Sequence, residues 1–209
     1  MHHKAIFISL FIVFCVSISA QANPATYDFN DPKGVNAVSI VLDSDLESMT
    51  GFAHSIKGTI TIDPVERKII HGTLTIPTSS ITMTNSTMTQ VLLSKPWLNA
   101  EAHPTITFVF RRTIKTGESS ESKYQFIVEG DMSIGGVTKT ISAPVSLTLL
   151  PGKLKDRFPG AMGDLMVLRS SFEISRKDFN INPEAPIALV SDTIQLRLNI
   201  SGGCKTNKP

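Results

Sequence analysis

Apolar and polar residues alternate along most of the chain, with the period of two that is typical of strands buried on one face. In the clearest case, Tyr124, Phe126, Val128, Met132 and Ile134 recur at every second position, and polar residues fill most of the positions between them. The segments with this alternation are 38–42, 56–62, 70–76, 106–110, 124–134, 141–149, 166–174 and 194–200. The pattern predicts about eight strands in a meandering antiparallel sheet.

A glycine pair joins two of these predicted strands. Gly135 and Gly136 lie between the segments 124–134 and 141–149, and glycine readily adopts the positive φ angles that a two-residue hairpin requires. A sheet with one apolar face must cover that face, either with a second sheet or by closing on itself. We favour closure, which gives an all-β antiparallel barrel.

One region departs from the period of two. Between Ser86 and Leu98 the apolar residues follow three-four spacing, Ser86 can cap the first turn, and Pro96 limits the far end. We therefore predict one short helix here. Five apolar residues of the segment 83–97 lie outside any predicted strand: Met83, Met88, Leu92, Leu93 and Trp97. They form either an adaptable portal to the barrel interior or a plug that caps it.

The first 22 residues have the features of a cleaved signal peptide. A lysine precedes the apolar stretch 5–16, and small residues follow it and end in the A-x-A pattern at 20–22. This stretch is shorter than the roughly 20 apolar residues of a transmembrane helix. We predict an exported chain with one domain at 23–202, a flexible tail at 203–209 and no stable membrane insertion.

Charge and reactive residues argue against several functional classes. The formal net charge is only +2, from 20 basic and 18 acidic residues that are scattered along the chain, which does not favour a nucleic-acid surface. His54, His71 and His103 lack the short spacing of a metal pair. There is no G-x-S-x-G elbow, and Cys204 has no cysteine partner once the signal peptide is removed. We predict a protein that is not an enzyme and binds no metal.

Four segments carry short motifs in a fixed order. They are Gly58 to Pro64, His103 to Phe108, Gly130 to Thr138 and Ser175 to Ile181. The third reads Gly-Asp-Met-Ser-Ile-Gly-Gly-Val-Thr, and the fourth contains Arg-Lys-Asp-Phe-Asn-Ile. Their content and order resemble the YceI family, whose members are also called lipid- or polyisoprenoid-binding proteins. The resemblance spans almost all of the chain after the signal peptide.

The resemblance implies an eight-stranded, lipocalin-like barrel in a Gram-negative periplasm, or secreted, that encloses a long apolar chain. A polyisoprenoid or an isoprenoid quinone is such a ligand, and no cofactor is implied beyond a bound lipid of this kind. An eight-stranded barrel is just wide enough to hold one slender ligand or to be packed solid. The residues expected to line the interior are Ile60, Leu74, Met83, Met88, Leu92, Leu93, Trp97, Phe108, Phe110, Phe126, Val145, Phe172 and Leu196.

Two elements usual in the family are missing. The chain has Asn36-Ala37-Val38-Ser39 where a His-Ser pair is usual, and residues 85–93 replace an Arg-Asp-x-His-Leu pattern. In addition, apolar stripes more often form a packed core than a ligand site. The alternative is therefore a structural or interaction barrel with a filled core and no lipid ligand. The sequence does not decide between a monomer and a homodimer.

Overall fold

The computed structural model describes residues 23–118, 120 and 122–205; the predicted signal peptide lies outside them. The strands are β1 Ala25–Asp28, β2 Ala37–Asp43, β3 Ser48–Ala53, β4 Lys57–Asp63, β5 Lys68–Pro77, β6 Thr82–Met83, β7 Thr105–Thr116, β8 Lys123–Ile134, β9 Val137–Leu150, β10 Gly163–Ser175 and β11 Thr193–Lys205. The helices are α1 Ser86–Leu93 and α2 Leu154–Arg157, and short 3-10 turns lie at Thr78–Ser80 and Lys177–Phe179.

Eight antiparallel strands close into a barrel, as the sequence predicts. Their order is β1-β4-β5-β7-β8-β9-β10-β11, and β11 returns to β1 where Gly203 lies opposite Asp28. We call the junction between β11 and β1 the seam, and the remaining strands lie beside it. The first half of β11 pairs with β2 through Leu196 and Ile40, and β3 and β6 follow β2 outward. The seam is therefore closed by β1 in one half of the barrel, and β2, β3 and β6 flank it in the other.

We call the end of the barrel at which α1 lies the upper end. The lower half has a filled core of large side chains, none more than 4% exposed. They include Tyr27, Phe29, Tyr124, Phe126 and Leu147. Below them the β1–β2 connection is tied to α2, because Arg157 Nη2 lies 2.7 Å from Asp31 Oδ2, and the Asp31 side chain is 2% exposed. The lower end is thus closed by packing and by a buried ion pair.

The glycine pair forms the predicted two-residue hairpin at the upper end. Gly135 and Gly136 have φ angles of 56° and 82°, and Ile134 lies opposite Val137 in the ladder. These angles match a turn that follows the right-handed twist of the two strands. A Cβ atom on Gly136 would lie only 2.7 Å from Cε1 of His103. The third motif of the sequence therefore packs directly against the second.

Replacing Gly136 with alanine is expected to lower the free energy of unfolding by about 2–3 kcal/mol, because the change adds left-handed backbone strain to a clash with the His103 ring. Gly152→Ala is the matched control. Gly152 also has a positive φ, of 67°, but nothing lies within 4 Å of its Cβ position. Urea denaturation should show a loss of only about 1 kcal/mol for that control. Equal losses for the two variants would contradict the contact with His103.

Three details differ from the sequence prediction. The N-cap of α1 is Asn85 and not Ser86; the Asn85 side chain accepts hydrogen bonds from the amides of Thr87 and Met88 at 2.8 and 3.3 Å. Ser86 cannot cap because it is already helical, and the helix ends at Leu93. Residues 203–205, assigned to a flexible tail, instead continue β11 and pair with β10. The strands β1, β3 and β6 were not predicted.

Candidate functional site

The upper half of the barrel encloses a cavity of about 320 Å³. This volume is at the lower end of the range for small-molecule sites. Inward-facing residues of β2–β11 form the wall, together with α1 and the loops beside it. Polar side chains are few in this wall: Thr87, Thr107, Ser170 and Arg176. The cavity is therefore an almost entirely apolar chamber above the filled lower half.

Eleven of the thirteen residues predicted to line the interior lie in the cavity wall. They are Ile60, Leu74, Met83, Met88, Leu92, Trp97, Phe108, Phe110, Val145, Phe172 and Leu196. Their role in binding a ligand stays a prediction. Phe126 and Leu93 do not line the cavity. Phe126 is 4% exposed within the filled lower half, and Leu93 packs against the core from outside the cavity wall.

Sequence reasoning missed the part of the wall beside the seam. Met49 and Ala53 of β3 face the cavity, opposite residues of β2 such as Val38. Met49, Gly51 and Ala53 do alternate with Ser48, Thr50 and Phe52, but the inward residues include the small Gly51 and Ala53. Gly51 leaves room for Met83 of β6, whose sulfur would lie 2.5 Å from a Cβ there. A search for period two that accepts small residues would have found β3.

Helix α1 lies across the upper end of the cavity. Met88, Val91 and Leu92 line the cavity, yet no residue of the helix is fully buried. The helix is held by its Asn85 cap and by Thr89 Oγ1, which accepts a hydrogen bond of 2.8 Å from the Met83 amide. Beyond the helix, the Leu98 amide donates to the Leu92 carbonyl at 3.0 Å. The cover of the cavity is thus a short helix with few tertiary anchors.

Arg176 is the one charged residue in the cavity wall, and it is fully buried. Its guanidinium donates to carbonyl groups of the loop that follows β10. Nε reaches Ser191 O at 3.2 Å, Nη1 reaches Ile181 O at 2.8 Å and also Asn182 O, and Nη2 reaches Ala185 O and Val190 O at 3.3 and 3.5 Å. These bonds account for all five donors of an arginine. Arg176 therefore has no free N–H group to offer to a ligand.

The surroundings of Arg176 complete this anchor. The guanidinium carbon lies 6.0 Å from the centre of the Trp97 ring, which joins the loop after α1 to the loop after β10. Asp192 lies nearby. Burial disfavours its charged form, but hydrogen bonds from Ser175 Oγ and the Lys177 amide, together with the Arg176 charge, hold the pKa of that carboxyl below its usual range. Asp178, which follows Arg176 in the motif, is exposed.

The other reactive side chains lie outside the cavity wall. None of the three described histidines lines the cavity, and the exposed His71 forms a hydrogen bond of 3.1 Å through Nε2 with Oγ1 of the buried Thr61. Burial and the nearby Asp164 raise the pKa of the Cys204 thiol. Among the described residues, no group of three His, Cys, Asp or Glu could hold a metal ion. No helix in the described part of the chain is both long and apolar enough to cross a membrane.

Comparison with known proteins places this geometry in a family. BcnA of Burkholderia cenocepacia is similar in structure, with 21% identity, a TM-score of 0.62 and coverage of 79% of this chain and 95% of that one. A YceI protein of Campylobacter jejuni shares 22% identity at a TM-score of 0.61, covering 75% of this chain and 85% of its own.

A polyisoprenoid-binding domain from Saccharophagus degradans shares 11% identity at a TM-score of 0.62, with 87% of this chain and 99% of that domain covered. At these identities the likeness shows the fold. No curated protein matches the chain. The model of the YceI-like domain family matches residues 31–202, which is most of the chain. This protein therefore belongs to the YceI-like domain family.

Proposed function

We propose that this protein is an exported binding protein that sequesters or carries an apolar lipid of the polyisoprenoid or isoprenoid quinone type in the upper half of its barrel. The observation that carries the proposal is the apolar cavity of about 320 Å³ beneath α1. The signal-like pattern of residues 1–22 supports export to a periplasm. The polyisoprenoid-binding domain of similar fold supports the ligand class. The action is binding and transfer, without bond making.

The polar groups of the wall favour an apolar tail as the buried part of the ligand. Arg176 has no free donor, and Ser170 Oγ already donates to the Pro144 carbonyl at 2.6 Å. A polar headgroup placed beside Arg176 and Ser170 would lose its hydrogen bonds to water, and neither side chain has a free donor to replace them. Each methylene group that enters gains about 0.8 kcal/mol. The ligand therefore enters tail first, and its headgroup stays near α1.

The volume limits how much of the ligand fits. A cavity of about 320 Å³ holds roughly ten groups of the size of a water molecule or a methylene, at about 30 Å³ each. That corresponds to about two isoprene units. A longer chain would extend past α1, which has few anchors. The alternative of a filled core describes only the lower half of the barrel. If no ligand binds, we infer a structural or interaction barrel for the whole protein.

Decylubiquinone is expected to bind and to quench the fluorescence of Trp97, the only tryptophan, which lies in the cavity wall. Its short tail matches the cavity volume, and a quinone quenches a nearby indole. The measurement is a fluorescence titration, with native mass spectrometry of the purified protein for a lipid that is already bound. The tailless dimethoxy-methyl benzoquinone is the control and should quench only by collision. Absence of saturable quenching, together with no lipid in the mass spectrum, would overturn the proposed function.

A further inference from the structure

Three segments meet around the opening of the cavity at the upper end. The β2–β3 turn contacts the loop after β10, since the Leu46 amide donates to the Ala188 carbonyl and Ser44 Oγ donates to the Leu189 carbonyl, both at 3.1 Å. The same loop contacts the segment after α1, where the Asn182 amide donates to the Pro96 carbonyl at 3.2 Å. The turn, the loop and the α1 segment therefore form one continuous surface.

Large apolar side chains are exposed on all three segments. We call these residues the apolar rim: Leu46, Met88, Val91, Ile187 and Leu189, with exposed fractions of 69%, 37%, 47%, 55% and 41%. Met88 and Val91 belong to the rim and to the cavity wall at once. At α1 the exposed apolar surface is thus continuous with the cavity wall, so a lipid tail that enters past Met88 and Val91 remains in contact with apolar groups.

The charge pattern of the rim distinguishes between partners. Helix α1 has no charged residue, and neither has any position from 72 to 94. A surface helix ordinarily carries charged residues on its solvent face, and helices that bind anionic membranes are rich in Lys and Arg. The charges next to the rim are mainly acidic: Asp45, Glu47 and Glu184, with Lys95 after the helix. The rim therefore fits an apolar partner without strong charge attraction.

We propose that the apolar rim docks transiently on the surface of a lipid bilayer, so that the ligand passes between membrane and cavity without crossing water. This rests on the proposed function, since a bilayer is the phase in which a long-chain apolar lipid resides. Docking by apolar contact alone is weak and reversible. It does not depend on anionic lipid, and added salt does not weaken it.

The lower end provides a matched comparison. Val35 and Val65 are each 59% exposed, which is close to Leu46 and Ile187, but they lie at the opposite end of the strands, outside the filled core. They have no continuity with the cavity. The two pairs therefore have similar exposed fractions, and only the pair of Leu46 and Ile187 belongs to the proposed docking surface.

The test measures transfer of a long-chain ubiquinone from phosphatidylcholine vesicles, followed by quenching of Trp97 in stopped flow. Docking predicts a rate that rises linearly with vesicle concentration. The double variant Leu46→Ser with Ile187→Ser should slow transfer about tenfold by removing two rim side chains, whereas Val35→Ser with Val65→Ser should not. Binding of decylubiquinone from solution should be the same for both variants, because none of these four residues lines the cavity.

Cosedimentation with empty vesicles tests docking without a ligand. The wild-type protein should bind phosphatidylcholine vesicles equally well at low and high salt, and the rim variant should bind about tenfold less. A transfer rate independent of vesicle concentration, or a rim variant equal to the wild type, would overturn the proposal. So would binding that requires phosphatidylglycerol and is lost in salt. If decylubiquinone fails to bind while cosedimentation persists, the ligand proposal fails and the docking surface stands.

Discussion

Replacing Arg176 with methionine is expected to lower the free energy of unfolding by about 3–5 kcal/mol, because the guanidinium makes five hydrogen bonds to backbone carbonyl groups. The guanidinium is fully buried and holds the loop after β10 by its carbonyl groups. Methionine has a similar length and suits the apolar wall, but it donates no hydrogen bonds. The change leaves the carbonyl groups that face the buried guanidinium without donors, and each such group costs about 1–3 kcal/mol.

Arg169→Met is the control for this variant. Arg169 lies on the same strand, β10, but its side chain is exposed, and a surface substitution of this kind changes stability by less than about 0.5 kcal/mol. Urea denaturation followed by Trp97 fluorescence gives both values. Hydrogen exchange should also accelerate through residues 177–192 in the Arg176 variant and not in the control. A loss below about 1 kcal/mol for Arg176→Met would show that other donors replace the guanidinium.

The barrel could be predicted from the sequence because its long strands are buried on one face only. Tyr124, Phe126 and Val128 alternate with exposed residues along β8, and this pattern depends only on the neighbours within the strand. The hairpin at Gly135 and Gly136 could be predicted for a similar reason, because its backbone angles are local. Features that depend only on the residues within one strand or one turn could therefore be predicted from the sequence.

Features that depend on the packing of several strands could not be found in this way. β1 has four residues and β6 has two, too few for a recognisable period, although β1 closes the barrel. The alternation identifies Phe126 and Phe108 equally as inward residues. The two residues differ in their position along the barrel axis: Phe126 lies in the filled core of the lower half, whereas Phe108 lines the cavity of the upper half.

The two halves of the barrel differ in the size of the side chains that the strands place there. Tyr27, Phe29 and Tyr124 fill the lower half. In the upper half, Gly72, Ala53 and Ala143 occupy positions in the wall, and small residues leave space open. The cavity is therefore a consequence of residue size at particular heights, which becomes visible only when the register between strands is known.

Ala143 is the most direct place to test this account. It lies on β9 opposite Val128, and both residues line the cavity. Replacing Ala143 with phenylalanine adds a ring at the wall that is expected to occupy the space of roughly four methylene groups of a ligand. At about 0.8 kcal/mol for each group, the affinity for decylubiquinone should fall about a hundredfold. Stability should change little, because the ring enters an existing void and gains apolar contacts there.

Ser142→Phe is the matched control, since Ser142 is the neighbouring residue on the exposed face of β9. It adds a ring to the same strand outside the barrel, so quenching of Trp97 by decylubiquinone should keep its wild-type affinity. Phe126→Leu completes the comparison, because it removes packing from the filled lower half and should lower stability while leaving affinity unchanged. If Ala143→Phe binds the quinone as tightly as the wild type, the ligand does not occupy the cavity beneath α1.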